Sequence, residues 1–463
     1  MIKQSLAQSV LSAAMETGAD FAELFIEDRD SLILRMQAGN VENINSARVH
    51  GAGVRIFLGN RSIYVYCNDT SERSLLNAAK QAAAALSGSP NVLDISFRSA
   101  SYPAHSPIAV YPFTVGYEPK LNLLRKAHKA SKGYSELVTQ VTLNMAEVDQ
   151  RVLIANSEGL WGESRRVRSR TFAFSTASSG TEFQTGYESK GYTMGFEMYD
   201  GTVDVEAVAK TASQRAVDAL SAPECPAGFF PVVIESGAGV IFHEACGHSL
   251  EATSVAPGNS VFSGKLGQQI AAPCVSAVDD GTIQNAWGTT DMDDEGNPTQ
   301  RNLLIENGIL KGYLIDKLGG RRLKMAPTGS ARRESYEQAP TSRMNNTFIC
   351  EGTDDNEAMI RTMGEGLFAK TMGGGQVNPL TGEFNFGVEE GYWVKDGKIV
   401  CPVRGGVLIG KGADVLMNID RVGTKLGMGV GMCGSLSGSV PTGMGQPRIR
   451  VTGMTVGGKG AKI

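Results

Sequence analysis

The amino-acid sequence predicts an α+β protein in two parts, an N-terminal α+β domain at residues 1–221 and a C-terminal β-rich domain at residues 222–463. Three observations support this division. Helical spacing of apolar residues and strand-type alternation follow each other up to about residue 220. A segment rich in serine, proline and glycine then marks a boundary at residues 221–228. Beyond it, short apolar runs are separated by Asn-Gly and Asp-Gly turns, which favour β-hairpins.

The N-terminal domain is predicted to contain two helix-plus-antiparallel-sheet units. In the first unit, helical spacing at residues 6–14 precedes strands at residues 21–66, and a second helix covers residues 75–86. Gly59 and Asn60 supply a hairpin turn between two of these strands. The second unit repeats this order. A helix begins at Glu118-Pro119, with proline in its first turn, and strands and a helix at residues 203–220 follow.

The C-terminal domain is predicted to be mainly β, with one important helix near its start. A buried strand at residues 230–234 leads into this helix at residues 237–246, which contains two histidines and a glutamate. From residue 261 onward, Asn307-Gly308 and Asp396-Gly397 indicate hairpins, and a single further helix is expected after Asp354.

Composition narrows the classes of function. The 463-residue chain has 20% charged residues and a net charge of -4, which argues against direct nucleic-acid binding through its overall field. Its seven cysteines are an odd number without a C-x-x-C pair, so reduced thiols in the cytoplasm are expected. The sequence shows neither a signal-peptide core nor an apolar run of roughly 20 residues, so no membrane partner is expected.

The stretch His243-Glu244-Ala245-Cys246-Gly247-His248 is the strongest candidate for a catalytic site. In metallopeptidases with His-Glu-x-x-His, the two histidines bind zinc and the glutamate is the general base. Here the histidines are five residues apart, which in an α-helix turns their side chains about 140° from each other. We therefore expect the helix to end, kink or bulge at Gly247, with His243 and His248 as zinc ligands and Glu244 as the base.

A catalytic zinc usually has three protein ligands and one open position, so a third ligand is expected. Glu251, Cys246 and Cys433 are candidates. Glycines on both sides of Cys433 would allow its backbone to approach a metal closely. The residue pattern alone does not choose among the three, and a buried inert thiol is the alternative interpretation of either cysteine.

A basic stretch supplies candidate substrate-binding residues. Arg332, Arg333 and Tyr336 could hold a substrate carboxylate or stabilise an oxyanion. A solvated loop with structural ion pairs is the alternative interpretation, because this is the usual fate of surface charges.

Taken together, these motifs resemble the TldD/PmbA family, also described as modulators of DNA gyrase and understood as metallopeptidases. The histidine motif indicates the TldD-type catalytic subunit, because the PmbA branch lacks it. The resemblance covers nearly the whole chain and rests on the following ordered segments: residues 53–57, 243–251, 293–296, 308–314, 332–336, 343–346, 433–434, 445–447 and 457–458.

The resemblance implies a zinc ion held by His243, His248 and the distant Cys433. It also implies a cytoplasmic dimer, either a homodimer or a heterodimer with a PmbA-type subunit, that cleaves small unfolded or flexible peptides. The expected function is therefore zinc-dependent peptide hydrolysis. The alternative is a non-enzymatic modulator that binds gyrase or another complex, which would not depend on metal.

Overall fold

A seven-stranded sheet organises the N-terminal half of the chain. It is seen in a computed structural model that describes residues 2–86, 95–237, 239, 241–378 and 380–460. Two short 3-10 helices accompany the main elements of this half, which are α1 (Gln4–Met15), β1 (Phe21–Gln37), β2 (Asn40–Leu58), β3 (Arg61–Cys67), α2 (Glu72–Ala84), β4 (Arg98–Ser99), α3 (Tyr117–Lys132), β5 (Val138–Asn156), β6 (Leu160–Ser179), β7 (Glu182–Tyr192) and α4 (Val205–Ser221).

The two predicted helix-plus-sheet units share this one sheet. Its strands follow the order β3-β2-β1-β5-β6, and β4 and β7 pair with opposite ends of β6. Side chains alternate between the two faces of a strand. On β1, Leu24 packs in the cluster of α1 and α2, whereas Leu34, ten positions further on, packs in that of α3 and α4. Both helix pairs therefore cover the same face of the sheet, and the predicted α+β class is confirmed.

The C-terminal half contains a six-stranded and a seven-stranded sheet. Its elements are β8 (Gly228–Ile234), a π-helix (Ile241–Gly247), a 3-10 turn (His248–Leu250), α5 (Ala252–Val255), β9 (Ala277–Asp280), β10 (Arg301–Glu306), β11 (Ile309–Leu310), α6 (Lys317–Leu323), β12 (Ala331–Arg332), β13 (Thr341–Ser342), β14 (Asn346–Ile349), α7 (Asn356–Arg361), β15 (Gly366–Val377), β16 (Glu383–Lys395), β17 (Lys398–Val403), β18 (Val407–Lys411), α8 (Gly412–Met417), β19 (Ile419–Val422), β20 (Gly427–Ser435), β21 (Gly438–Gln446) and β22 (Ile449–Gly457).

The first of these sheets has the order β11-β10-β9-β14-β21-β20, and β8 lies between β15 and β22 in the second. One large apolar cluster includes side chains of both sheets and of the π-helix. The single helix predicted beyond residue 261 is α7. The prediction of only one helix there is wrong, because α6 and α8 are also present. Both are short, and α6 contains Gly319 and Gly320, so neither shows the long apolar periodicity by which a helix is recognised in sequence.

The two halves meet on the face of the N-terminal sheet opposite its helices. Buried ion pairs cross this contact: Arg55 lies 2.5 Å from Glu295, and Arg166 lies 2.6 Å from Asp294. The predicted boundary at residues 221–222 falls between α4 and β8, and the independence of the two domains stays a prediction. Among the described residues, no helix has both the length and the apolar character needed to cross a membrane.

Candidate active site

His243 and Glu244 lie on a π-helix, Ile241–Gly247, and His248 begins the 3-10 turn that follows it. In a π-helix the hydrogen bonds join residues five apart, so His243 and His248 lie one turn apart on the same side. Their ring centroids are 6.0 Å apart. The π-helix ends at Gly247, between the two histidines, as the spacing led us to expect, but Gly247 has ordinary right-handed helical angles and the altered winding extends over Ile241–Gly247.

Gly247 is required for space rather than for backbone freedom. A Cβ atom at this position would lie 2.2 Å from the sulfur of Met344, which is fully buried. Any larger residue would therefore displace either Met344 or the π-helix.

Cys433 is brought to the histidines by β20, although it lies 185 positions after His248. Its Sγ atom is 3.0 Å from Nε2 of His248, and the residue is 2% exposed. One oxygen of Glu244 lies 3.7 Å from Nε2 of His243, and the other lies 3.6 Å from Nε2 of His248. The structure thus brings Glu244, His243, His248 and Cys433 together.

Electrostatics at this site favour the ionised forms of the thiol and the carboxyl. Burial raises the pKa of Cys433, but the two nearby histidines, His243 and His248, outweigh burial and lower that pKa to about 6. Burial also raises the pKa of Glu244, and the same two histidines bring it below its ordinary value. Burial lowers the pKa of His248, while Glu251, Cys433 and Glu244 raise it well above the usual range.

These residues fit a bound metal ion. Nδ1 and Nε2 of His243 are both buried, and neither has a hydrogen-bond partner within the described residues. Buried polar atoms are normally hydrogen-bonded, so such a ring is suited to coordinate a metal ion. Donor atoms of His243, Glu244 and Cys433 lie within 4.8 Å of one another. Imidazole, thiolate and carboxylate are all ligands that zinc accepts.

Glu251 and Arg343 contact the site residues and fix their positions. Oε2 of Glu251 lies 3.1 Å from Nδ1 of His248, so Nδ1 donates to the carboxylate and Nε2 faces Cys433. Arg343 is fully buried; it donates to the carbonyl oxygen of Cys433, and its Nε lies 3.9 Å from Oε1 of Glu251. Glu251 was one of three candidate ligands from the sequence, and its contact with His248 and the position of Arg343 were not predicted.

The other predicted site residues lie elsewhere in the interior. Cys246 is fully buried in the large apolar cluster, where burial raises the pKa of its thiol. Arg332 donates to the carbonyl oxygens of Met344 and Pro441.

Arg333 and Tyr336 contact the N-terminal half. Arg333 lies 3.0 Å from Glu23, and Tyr336 packs in a small apolar cluster with Phe25. Arg332, Arg333 and Tyr336 are each at most 6% exposed, so structural contacts account for their positions, and substrate binding by them stays a prediction.

Known domain families and known proteins match the sequence of this chain over most of its length. Models of the PmbA/TldA metallopeptidase domain 1, central domain and C-terminal domain match residues 22–86, 111–220 and 227–458. A metalloprotease TldD homolog of Haemophilus influenzae is 34% identical over 95% of this chain and 93% of its own length. A metalloprotease of Methanothermobacter thermautotrophicus is 30% identical over 96% of this chain and 97% of its own.

Solved structures share the fold at lower identity. A putative modulator of DNA gyrase from Thermotoga maritima superposes with a TM-score of 0.81 at 20% identity, covering 98% of this chain and 100% of its own. TldE from Thermococcus kodakarensis gives 0.75 at 17% identity, covering 97% of this chain and 99% of its own.

These domain models and relatives define a metallopeptidase class of α+β protein. Within that class, the chain belongs to the PmbA/TldD family. Because the curated relatives are named metalloproteases, metal-dependent peptidase activity is supported at the level of the family.

Proposed function

We propose that this protein is a zinc-dependent peptidase that hydrolyses small unfolded or flexible peptides in the cytoplasm. The observation that supports this best is the convergence of His243, His248 and Cys433 beside the carboxylate of Glu244. All seven cysteines are free, which suits a reducing compartment. One relative, from Saccharolobus solfataricus, is named a zinc metalloprotease TldD homolog; it is 29% identical over 55% of this chain.

His243, His248 and Cys433 would hold the zinc ion. When bound, zinc lowers the pKa of a water molecule to about 7 and polarises a carbonyl group. Glu244 differs from the three ligands because its side chain is 25% exposed, whereas the ring of His243 is 0% exposed. It can therefore reach a water molecule and the substrate from the open side of the site.

Glu244 is the proposed general base. Because its pKa is held below the ordinary value, it is ionised at neutral pH and can accept a proton from the attacking water. The protonated carboxyl can then pass that proton to the nitrogen of the leaving amine. Glu251 keeps the ring of His248 oriented during both transfers, since it binds the ring nitrogen that faces away from Cys433.

The edge strand β20 is the proposed binding site for the substrate backbone. It pairs with β21 on one side, and no other strand of the described residues pairs with it. An extended peptide can add to such an edge through main-chain hydrogen bonds. Cys433 belongs to this strand, so a peptide paired there lies beside the site. Recognition through the main chain accounts for a preference for unfolded peptides over a particular sequence.

We also propose that the chain acts as a dimer, either with itself or with a PmbA-type subunit. The shared fold with TldE supports a partner of the same architecture. Activity assays should therefore include the chain alone and the chain mixed with such a subunit.

Glu244→Gln tests the proposed reaction. We expect this variant to keep its zinc, measured by metal analysis, and to lose cleavage of a flexible peptide by at least about 100-fold, since general-base catalysis contributes at least that much. A chelator should abolish wild-type cleavage, and added zinc should restore it. Glu306→Gln on the surface is the matched control.

A wild-type rate that is unaffected by chelation would contradict the peptidase proposal and favour a non-enzymatic binding protein. Retained turnover in Glu244→Gln would contradict the base assignment alone.

A further inference from the structure

One face of the N-terminal sheet is only partly covered by the C-terminal half of the chain. The face opposite the helices bears Arg166 and Arg168 on β6, and both donate to backbone carbonyls of residues 287–292 in the C-terminal half. Further along the same face of β6, Phe172 and Phe174 follow, and Phe174 is 45% exposed. The C-terminal half thus covers only one end of this face.

Aromatic side chains form the floor of a groove at the uncovered end. Phe174 pairs with Tyr187 of β7, and their ring centroids are 4.7 Å apart. Phe172 lies 6.2 Å from Phe174, edge to face. A cavity of about 460 Å³ lies over these three rings and is closed on its other side by Val388 and Glu389 of β16 and by Arg404, which follows β17.

This groove continues toward the proposed catalytic strand. A second cavity of about 670 Å³ is lined by Gly427–Val430 of β20 and by Trp287. Tyr187 and Glu389 line both cavities, so the two are adjacent. Trp287 donates a hydrogen bond to the carbonyl oxygen of Gly431, two residues before Cys433. A peptide extending from β20 therefore has a continuous path to the aromatic floor.

Glu389 lines this path and has no ion-pair partner among the described residues. Arg215 lies 3.0 Å from Glu188 and 3.5 Å from Glu390, and Lys370 lies 2.7 Å from Glu390. The side chain of Glu389 makes no ion pair or hydrogen bond to the part of the chain that the structure describes. Although the residue is exposed, desolvation raises the pKa of its carboxyl, and Arg215 only partly offsets this effect.

We propose that this groove, formed by Phe172, Phe174, Tyr187 and Glu389, is a distal subsite for a lysine or arginine side chain of the peptide substrate. The inference rests on the proposed peptidase function and adds a preference to it. Glu389 would pair with the cationic group, and the aliphatic part of the side chain would lie on Phe174 and Tyr187. Main-chain pairing at β20 would be indifferent to sequence, whereas this subsite would favour peptides with a basic residue at a fixed distance from the cut bond.

Peptide binding to the full-length Glu244→Gln protein loaded with zinc tests the subsite. The probes are fluorescent, flexible Gly/Ser/Ala peptides with one lysine, walked position by position, and the same peptides with norleucine, which has a side chain of similar size without the charge. At one position we expect the lysine peptide to bind roughly five- to tenfold tighter, as an exposed ion pair with aromatic contact allows. Adding Glu389→Gln should reduce that ratio to about one.

Glu383→Gln is the matched control, because this residue is an exposed glutamate of the same strand that pairs with Lys411. It should leave the ratio unchanged, and Phe174→Ala should weaken binding of the lysine peptides. Equal binding of lysine and norleucine peptides at every position, or a preference that survives Glu389→Gln, would overturn the subsite. If the preference depends on Glu389 but the wild-type protein cleaves none of the peptides, the subsite stands and the peptidase proposal fails.

Discussion

Glu251 shows how one buried carboxylate can set the chemistry of its neighbours. It is 2% exposed and binds Nδ1 of His248, which leaves Nε2 directed at Cys433. Arg343 reaches both Glu251 and the backbone of Cys433, so it connects the π-helix to β20. Partners of this kind orient metal ligands and commonly change metal affinity by 10- to 100-fold.

Glu251→Gln should therefore weaken zinc binding by about 10- to 100-fold, measured by competition with a coloured chelator. The amide can still accept a hydrogen bond from His248, so the fold should persist, as circular dichroism would show. Replacement of zinc by cobalt gives a second measurement, because the absorption spectrum reports the arrangement of the ligands.

The exposed Glu306→Gln variant should bind zinc as the wild type does. Unchanged affinity and cobalt spectrum in Glu251→Gln would show that Glu251 does not position His248.

Site residues that are close together in the sequence could be predicted from their spacing, whereas contacts between distant residues could not. His243, Glu244 and His248 are recognised because they are adjacent in sequence. Cys433 could be selected only through the family resemblance, since a separation of 185 positions has no periodicity to read. Arg332 and Arg333 were candidates because of their charge, and their partners lie in distant segments that local patterns do not reveal.

The π-helix is the element that most affects the site. Its winding allows histidines five apart to face one another, and it is packed so closely that residue 247 has no room for a Cβ atom. The wider turn of a π-helix has poorer hydrogen-bond geometry than an α-helix. π-helices are therefore rare, need support from the surrounding structure, and occur frequently at functional sites.

Gly247→Ala should destabilise the protein by about 1–3 kcal/mol, because overpacking a tight interior displaces neighbours. It should also weaken zinc binding, since the displaced turn positions His243 and His248. Adding Met344→Ala should restore part of both properties by making room for the new methyl group. Thermal unfolding and chelator competition measure the two effects.

Gly116→Ala is the control, because a Cβ atom there meets nothing within 4 Å and its φ is negative. A fully stable Gly247→Ala protein with normal zinc affinity would show that the π-helix tolerates the extra carbon.

Hairpins were predicted reliably because their chemistry is local. Asn307-Gly308 and Asp396-Gly397 both have positive φ at each position and connect β10 to β11 and β16 to β17, as a two-residue turn requires. The π-helix was not predicted, because its seven residues show no pattern that distinguishes it from an α-helix. Only the spacing of the histidines indicated that a regular helix was unsuitable.

The stability of the whole molecule depends on charged residues that are buried between its two halves. Asp294 lies 2.6 Å from Arg166 and accepts a hydrogen bond from the backbone of Arg333. Burial raises the pKa of Asp294, but Arg166 and Arg333 outweigh it and lower that pKa below the ordinary 3.8. A carboxyl with a lowered pKa in the folded state stabilises the fold above its unfolded pKa, and the contribution is lost as pH falls through the folded value.

Asp294→Asn should cost about 3 kcal/mol of stability at pH 7, because it leaves Arg166 buried without its partner. The wild-type protein should lose this advantage below about pH 4, so the two unfolding free energies should approach each other there. Urea unfolding at a series of pH values between 7 and 3 measures the difference. The same substitution at the exposed Asp355 should cost far less at pH 7.

A constant difference between wild type and Asp294→Asn at all these pH values would contradict the role of the Asp294 charge. A negligible difference at pH 7 would show that the contact between the halves does not depend on this pair.

The position of β20 at the edge of its sheet bears on which proteins could bind there as substrates. Peptide N–H and C=O groups in a finished protein are already satisfied by their own helices and sheets, so a rim strand can attract only chains whose backbone is still bare. In the mode of substrate binding proposed above, selection of this kind would let the protein act among folded proteins without cleaving them. Under this proposal, folded proteins are not cleaved because their backbone groups are already hydrogen-bonded.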